Sequence, residues 1–284
     1  MTEIPVLAGT ASIADRYRVW LCDIWGVLHN GVSAYPAACQ ALTRYRGSGG
    51  TVVLITNAPR PAADIQTQIS ELGVPPTAYD AIVTSGDVTR SLIAGYGNRN
   101  VFHLGPPKDL TLYAGLEVRL TPVEKAEAVV CTGLFNDLIE TPANYAGQLA
   151  AMHARGLPMI CANPDIVVER GSAICYCAGA LGEAYEDLGG RVAYAGKPKQ
   201  PIYDAAMARA SQLRAREVAK SEILAIGDGL KTDILGAHDN GIDVLFVASA
   251  IHLDAGTGLT AQSLGRLFPR DQSRPLAAIE RLAW

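Results

Sequence analysis

Five residues in this chain carry side chains suited to handling a phosphoryl group: Asp23, Thr56, Lys197, Asp228 and Asp233. Asp23 ends the apolar run Val19-Trp20-Leu21-Cys22, Thr56 ends Thr51-Val52-Val53-Leu54-Ile55, and Asp228 ends Ile223-Leu224-Ala225-Ile226-Gly227. Lys197 follows Ala195-Gly196, and Asp233 comes five residues after Asp228. A hard cation such as Mg²⁺ takes oxygen ligands, usually one or two carboxylates with water and substrate phosphate. A Thr hydroxyl and a Lys ammonium neutralise phosphate oxygens, and a carboxylate in line with phosphorus can attack it. Each residue alone has a plainer reading, as a turn-capping Asp, a strand end or an exposed loop cation. Their shared position after buried strands is what gives them weight.

The elements that must position these groups alternate. Buried apolar runs ending in a polar residue and a glycine-rich turn read as parallel strands, and the reacting groups of such sheets gather beyond the strands' carboxyl ends. Helices are predicted over Tyr35–Arg46 with Pro36 in its first turn, Ala62–Leu72, Val88–Ala94 and Ile202–Leu213. Strands are predicted at Ala81–Val83, Val101–Leu104 and Val244–Val247. From Gly105 to about Gly190 a separate unit is expected, with strands at Ala128–Thr132 and Pro158–Cys161, helices at Pro142–Arg155 and Ala178–Leu188, and the loop Asn163-Pro164-Asp165. The tail from about Ala255 has a weak pattern and is expected to pack on the outside. This is an α/β chain with parallel βαβ units and an insert.

At 284 residues, 49% hydrophobic and 18% charged, the chain can bury a sizeable core. Its net charge is −4, with no basic run, which argues against a nucleic-acid surface. No stretch reaches the length of a membrane span, so a cytoplasmic protein is expected. The six cysteines sit mostly in apolar runs, as reduced buried thiols do. Cys175 and Cys177 lack further ligands at zinc-site spacing. Of the five histidines, His29 lies nearest the candidate chemistry. Gly227-Asp228-Gly229-Leu230-Lys231-Thr232 lacks the third glycine of a dinucleotide fingerprint, and there is no Gly-Lys-Ser/Thr phosphate loop.

Taken together, Asp23-Ile24-Trp25-Gly26-Val27-Leu28, Ile55-Thr56-Asn57, Gly196-Lys197-Pro198 and Gly227-Asp228-Gly229-Leu230-Lys231-Thr232-Asp233 resemble the four motifs of the haloacid dehalogenase superfamily. Ala162-Asn163-Pro164-Asp165 resembles the cap segment of its subclass IIA hydrolases. The resemblance implies a doubly wound, Rossmann-like parallel-sheet core over residues 1–90 and 191–284, with a C2-type α/β cap inserted at 91–190. It implies Asp23 as nucleophile and magnesium ligand, with Thr56 and Lys197 binding phosphate. Asp228, Asp233 and the backbone carbonyl of Trp25 complete the Mg²⁺ set. Asn57, Arg60 and Asp165 are the further substrate-side candidates. The substrate class is a small phosphorylated metabolite, and the cap can also pair two copies into a homodimer.

One position departs from that pattern. Phosphatases of the superfamily carry a second Asp two residues after the nucleophile as general acid and base, and here Trp25 stands there. Indole exchanges no proton near neutral pH, whereas acid–base catalysis supplies about two to four powers of ten. Slow turnover on alkyl phosphates is expected unless His29, a water or the substrate substitutes. The alternatives are a phosphate-binding protein without turnover and a halide- or phosphonate-cleaving enzyme. For Trp25 itself, a hydrophobic plug is the competing role.

Overall fold

In the computed structural model, which describes residues 3–170, 173–248, 258–269 and 272–284, the apolar run before Asp23 is a strand. Strands are numbered along the described chain. β1 (Val19–Asp23), β2 (Thr51–Thr56) and β11 (Ile223–Gly227) are buried at every position, as continuous apolar runs in a covered parallel sheet should be. With β3 (Ala81–Thr84), β12 (Asp243–Val247) and β13 (Ala277–Ile279) they form a six-stranded sheet in the order β13-β12-β11-β1-β2-β3. The pairs β1–β2, β1–β11, β11–β12 and β12–β13 are parallel.

The chain steps from β1 outward through β2 to β3, then returns to the other side of β1 for β11, β12 and β13. The point where the winding reverses lies between β1 and β11. Side chains such as Trp20, Leu21, Leu54 and Phe246 are fully buried in this sheet and its surroundings, each contributing about 1.5–3 kcal/mol relative to exposure. Trp20 stacks on Tyr45 of the helix Pro36–Gly47, with ring centroids 3.7 Å apart.

A second sheet holds β4 (Asn100–Leu104), β5 (Arg119–Leu120), β6 (Ala128–Cys131), β7 (Met159–Cys161) and β10 (Val192–Tyr194), all parallel, in the order β10-β7-β6-β4-β5. Its two faces are covered differently. Val101, Val130 and Ile160 pack with Ile93, Leu112 and Tyr113, whereas Val129, Cys131 and Met159 pack with Leu149, Met152, Leu181 and Tyr185. An antiparallel hairpin, β8 (Val167–Arg170) with β9 (Ala173–Tyr176), is attached to this unit.

The chain divides into one compact unit of Met1–Thr56, Gln66–Val83 and Tyr203–Trp284, and a second of Asn57–Ile65 and Thr84–Ile202. This division falls elsewhere than the expected boundaries at 90 and 191. The reason lies in strand partners: β10 was expected with the first sheet but pairs with β7. The helix Ser85–Ala94, capped by Thr84 Oγ1 accepting from Asp87 N, packs its Ile93 on the second sheet.

Two further differences concern short elements. The tail contributes β13 to the first sheet, where Ala277, Ala278 and Ile279 are buried. Three apolar residues are too few to show a period. The expected start of that tail at Ala255, and His252, lie outside the described residues. The β8–β9 hairpin has no counterpart among the expected elements; three of the four β9 positions are exposed and show no sustained alternation.

Candidate active site

Asp23 is the last residue of β1 and sits opposite Ile55 in the register, while Cys22 is opposite Ile226. Asp23, Thr56 and Asp228 therefore leave three adjacent strands within about one residue of the same level. Asp233 is brought back by a wide helical turn, Leu230–Ile234, in which its amide donates to Gly229 O (2.9 Å) and its Oδ2 accepts from Gly229 N (3.1 Å). One ligand-capable oxygen from each of Asp23, Asp228 and Asp233 lies within 4.8 Å of the others. Asp23 and Asp233 are 6% and 4% exposed. Three carboxylates this close, two of them buried and Asp228 half-buried, repel one another unless a cation is shared among them.

The loop after β1 is shaped to meet these groups. Gly26 has φ +82°, and a Cβ there would collide with the Asp228 carboxylate. Only glycine takes this conformation cheaply at so close an approach. The chain next to the Trp25 carbonyl thus runs against Asp228. Gly26 N donates to His29 O (2.9 Å), closing the loop.

Trp25 and His29 are packed against each other, edge to face with centroids 5.0 Å apart. A Cβ on Gly31 would stand 2.7 Å from the indole ring. The Trp25 ring is therefore seated on its own loop. His29 is 1% exposed, and burial lowers its pKa to about 4. Its Nδ1 accepts from Gly31 N (3.0 Å), so the neutral ring carries its proton on Nε2. Both facts remove His29 as a stand-in acid or base near neutral pH.

In the second unit, Asn57 joins three segments. Its Oδ1 accepts from Lys197 N (2.7 Å), and its Nδ2 donates to Lys197 O (3.2 Å) and to Asp165 Oδ1 (2.9 Å). Gly196 is required beside it, since a Cβ there would overlap Asn57 Oδ1. Lys197 is 2% exposed. Arg60 lies with its backbone against Gly86 and its Nε 4.0 Å from Asp109 Oδ1. The structure thus gathers the first unit's candidates at one sheet edge, and Asn57, Asp165 and Lys197 around one amide.

Residues 20–119 match the family described as haloacid dehalogenase-like hydrolase, and residues 194–262 match one described as HAD-hyrolase-like. A solved hydrolase of the haloacid dehalogenase-like family from Brucella suis 1330 is 45% identical to this chain, with a TM-score of 0.88 over 98% of this chain and 100% of that one. The chain belongs to the haloacid dehalogenase-like hydrolases. Ribonucleotide monophosphatase NagD of Escherichia coli K12 is 27% identical over 235 residues, 81% of this chain and 87% of NagD. The structure of glycerol phosphate phosphatase from Mycobacterium tuberculosis in complex with magnesium shares the fold, with a TM-score of 0.71 at 24% identity over 94% of this chain and 76% of that one.

As a haloacid dehalogenase-like hydrolase, the chain has the α/β parallel-sheet core of the family with an additional antiparallel pair. The donor set fits a hard divalent cation, because Asp23, Asp228 and Asp233 offer oxygen alone. Sequence reasoning missed two buried polar residues of the second unit: Asp109, 2% exposed with its Oδ1 4.0 Å from Arg60 Nε, and Thr132, 4% exposed.

Proposed function

We propose that this chain is a Mg²⁺-dependent phosphatase of a small phosphorylated metabolite. The observation that carries the reading is the trio Asp23, Asp228 and Asp233, with ligand oxygens within 4.8 Å of one another where the winding of the first sheet reverses. Asp23, Asp228, Asp233 and the Trp25 carbonyl would hold the ion. Bound there, Mg²⁺ supplies charge neutralisation for the phosphoryl oxygens. Relatives named for hydrolysis of ribonucleotide monophosphates and glycerol phosphate support the same class.

In this mechanism an Asp23 oxygen attacks phosphorus, the bond to the alcohol oxygen breaks, and an aspartyl phosphate remains. Water then cleaves that acyl phosphate, releasing inorganic phosphate and restoring Asp23. Thr56 and Lys197 hold phosphate oxygens through the step, and Asn57 fixes the Lys197 backbone. Arg60 is the candidate contact for the alcohol portion. The carboxylate of Asp165 supports Asn57, and through it the site.

With indole at position 25 and a neutral, hydrogen-bonded His29, the departing alcohol takes its proton from solvent. Esters of acidic alcohols are therefore favoured over alkyl phosphates. The second sheet and its hairpin serve as the cap. Leu138, Ile139 and Ile174, exposed on that unit, offer the surface for a homodimer. Six buried, reduced cysteines accord with a cytoplasmic setting, and among the described residues no helix is long and apolar enough to cross a membrane.

The test is free-phosphate release and intact mass for the pure protein with a panel of small phosphate esters, with and without Mg²⁺. Phosphate release, or an adduct on Asp23, that requires metal is the expected result. Metal and phosphate binding without either would favour the sensing protein, and release of halide or cleavage of a phosphonate would favour the other chemistry.

A further inference from the structure

Asp233 owes its direction to an uncommon piece of backbone. In the wide helical turn Leu230–Ile234, Gly229 O accepts from both Asp233 N (2.9 Å) and Ile234 N (3.0 Å), and Leu235 N reaches back to Leu230 O. A turn of this kind holds one residue more than an ordinary helical turn. Closing it as an ordinary turn would put Asp233 out of step with β11, and its carboxylate would leave the cluster it forms with Asp23 and Asp228.

The strand side of the turn is packed around that carboxylate. A Cβ on Gly227 would overlap the Asp233 carboxyl group, and one on Gly229 would overlap the Thr232 hydroxyl. The helix side is held differently. Wide turns leave carbonyl oxygens off the regular ladder, and a buried carbonyl needs a donor.

Tyr203 supplies one. It lies on the helix Gln200–Leu213, is 1% exposed, and places its hydroxyl 3.4 Å from both Thr232 O and Asp233 O. One proton is shared between two carbonyls, a three-centre arrangement in which each distance exceeds that of a single bond. A buried phenol needs the partners as much as they need it. Gly236 makes the approach possible, since a Cβ there would stand 2.5 Å from the Tyr203 hydroxyl oxygen and 2.7 Å from Cε2. Gly236 sits inside the helix Leu235–Asp239, where glycine is destabilising. Room for the phenol, rather than backbone conformation, is what calls for it.

We propose that Tyr203 is a positioning residue for the carboxylate cluster: its hydroxyl holds the wide turn by the Thr232 and Asp233 carbonyls and so directs the Asp233 side chain toward Asp23 and Asp228. Tyr203 acts through the backbone that carries Asp233, and Gly236 acts through the space it leaves the ring. All of these groups belong to the first unit. The inference rests on the reading of Asp23, Asp228 and Asp233 as cation ligands, and the two are separable by experiment.

The experiment is Mn²⁺ titration of the full chain without substrate, followed by the EPR signal of the free ion. Mn²⁺ takes the same oxygen donors as Mg²⁺ and is seen without turnover. Tyr203→Phe, which removes a single hydroxyl, should weaken binding about tenfold, the change made by groups that orient metal ligands. Gly236→Ala, whose methyl group displaces the ring, should weaken it at least as much. Melting temperatures of the same samples separate positioning from packing. A merely structural hydroxyl would lower the melting temperature and leave Mn²⁺ affinity, measured well below it, unchanged. That result for Tyr203→Phe overturns the proposal and leaves the carboxylate reading in place. If Tyr203→Phe does not fold, Gly236→Ala decides by the same criterion. A wild type that binds no Mn²⁺, or binding undiminished by Asp228→Asn, overturns the carboxylate reading and the proposal with it.

Discussion

The chain reverses its winding twice, once in each sheet, and the two reversals hold opposite kinds of chemistry. Between β1 and β11 stand three carboxylates with ligand oxygens within 4.8 Å of one another. Between β4 and β6 stands one carboxylate with a guanidinium 4.0 Å away and the Thr132 hydroxyl as a hydrogen-bond partner. The topology that opens a crevice beyond the strands is the same in both. What differs is the residue at or just past the end of each strand: Asp23 and Asp228 in one, Gly105 and Thr132 in the other. Sheet winding fixes where a ligand can go, and the first side chains beyond the strands fix its charge.

The largest expected effect tests the acidic reversal. Asp23→Asn removes the nucleophile, and phosphate release should fall by about a thousandfold or more in steady-state assays. Trp25→Asp should restore a proton donor, raising turnover of an alkyl phosphate by about a hundredfold or more. No gain would mean that the loop seated on Gly31 cannot direct a carboxyl to the leaving oxygen.

The pH dependence of stability comes next. The buried His29 takes a proton in the unfolded chain near pH 6.5 but in the folded one near pH 4. Its contribution is thus present above pH 6.5 and lost as pH falls toward 4, about 3 kcal/mol in all. Denaturant melts of His29→Asn across that window should lack this decline. Gly26→Ala should cost about 1–3 kcal/mol of stability through its positive φ. It should also raise the Mg²⁺ concentration needed for half-maximal activity, because the new methyl group displaces Asp228.

The smallest effect probes the neutral reversal. Desolvation raises the Asp109 pKa, so its ionised form is disfavoured on folding. That penalty is absent below the ordinary carboxyl range, grows as pH rises from there to the raised value, and is constant above it. Asp109→Asn should therefore melt a few degrees above the wild type at pH 7, with the gap closing toward pH 4. A lower melting temperature at pH 7 would mark Asp109 as a structural residue and erase the contrast between the two reversals.

Much of the first site could be read from the sequence because it obeys a local rule. β1, β2 and β11 are uninterrupted apolar runs, and their polar terminators are the candidate groups themselves. Nothing local marks Asp109 or Thr132. They are 23 residues apart in sequence, and their importance arises only when β4 and β6 become neighbours. The same holds for β10, whose composition suits either sheet and whose partner is chosen by the fold. His29 shows the reverse limit: its place near Asp23 was legible, but the burial and Gly31 contact that silence it were not.

The three bonds at Asn57 bear on how this chain could be recombined with its relatives. Its amide can face one way only: the oxygen meets Lys197 N, and the nitrogen meets Lys197 O and Asp165 Oδ1. Turned over, it would set oxygen against oxygen twice. A graft that replaces the β6–β9 segment with that of another hydrolase imports a new residue at position 165. If that residue offers no acceptor oxygen there, the chimera loses one of the contacts that fix the amide holding Lys197. Residues 57 and 165 should be exchanged as a pair, although one lies outside the grafted segment.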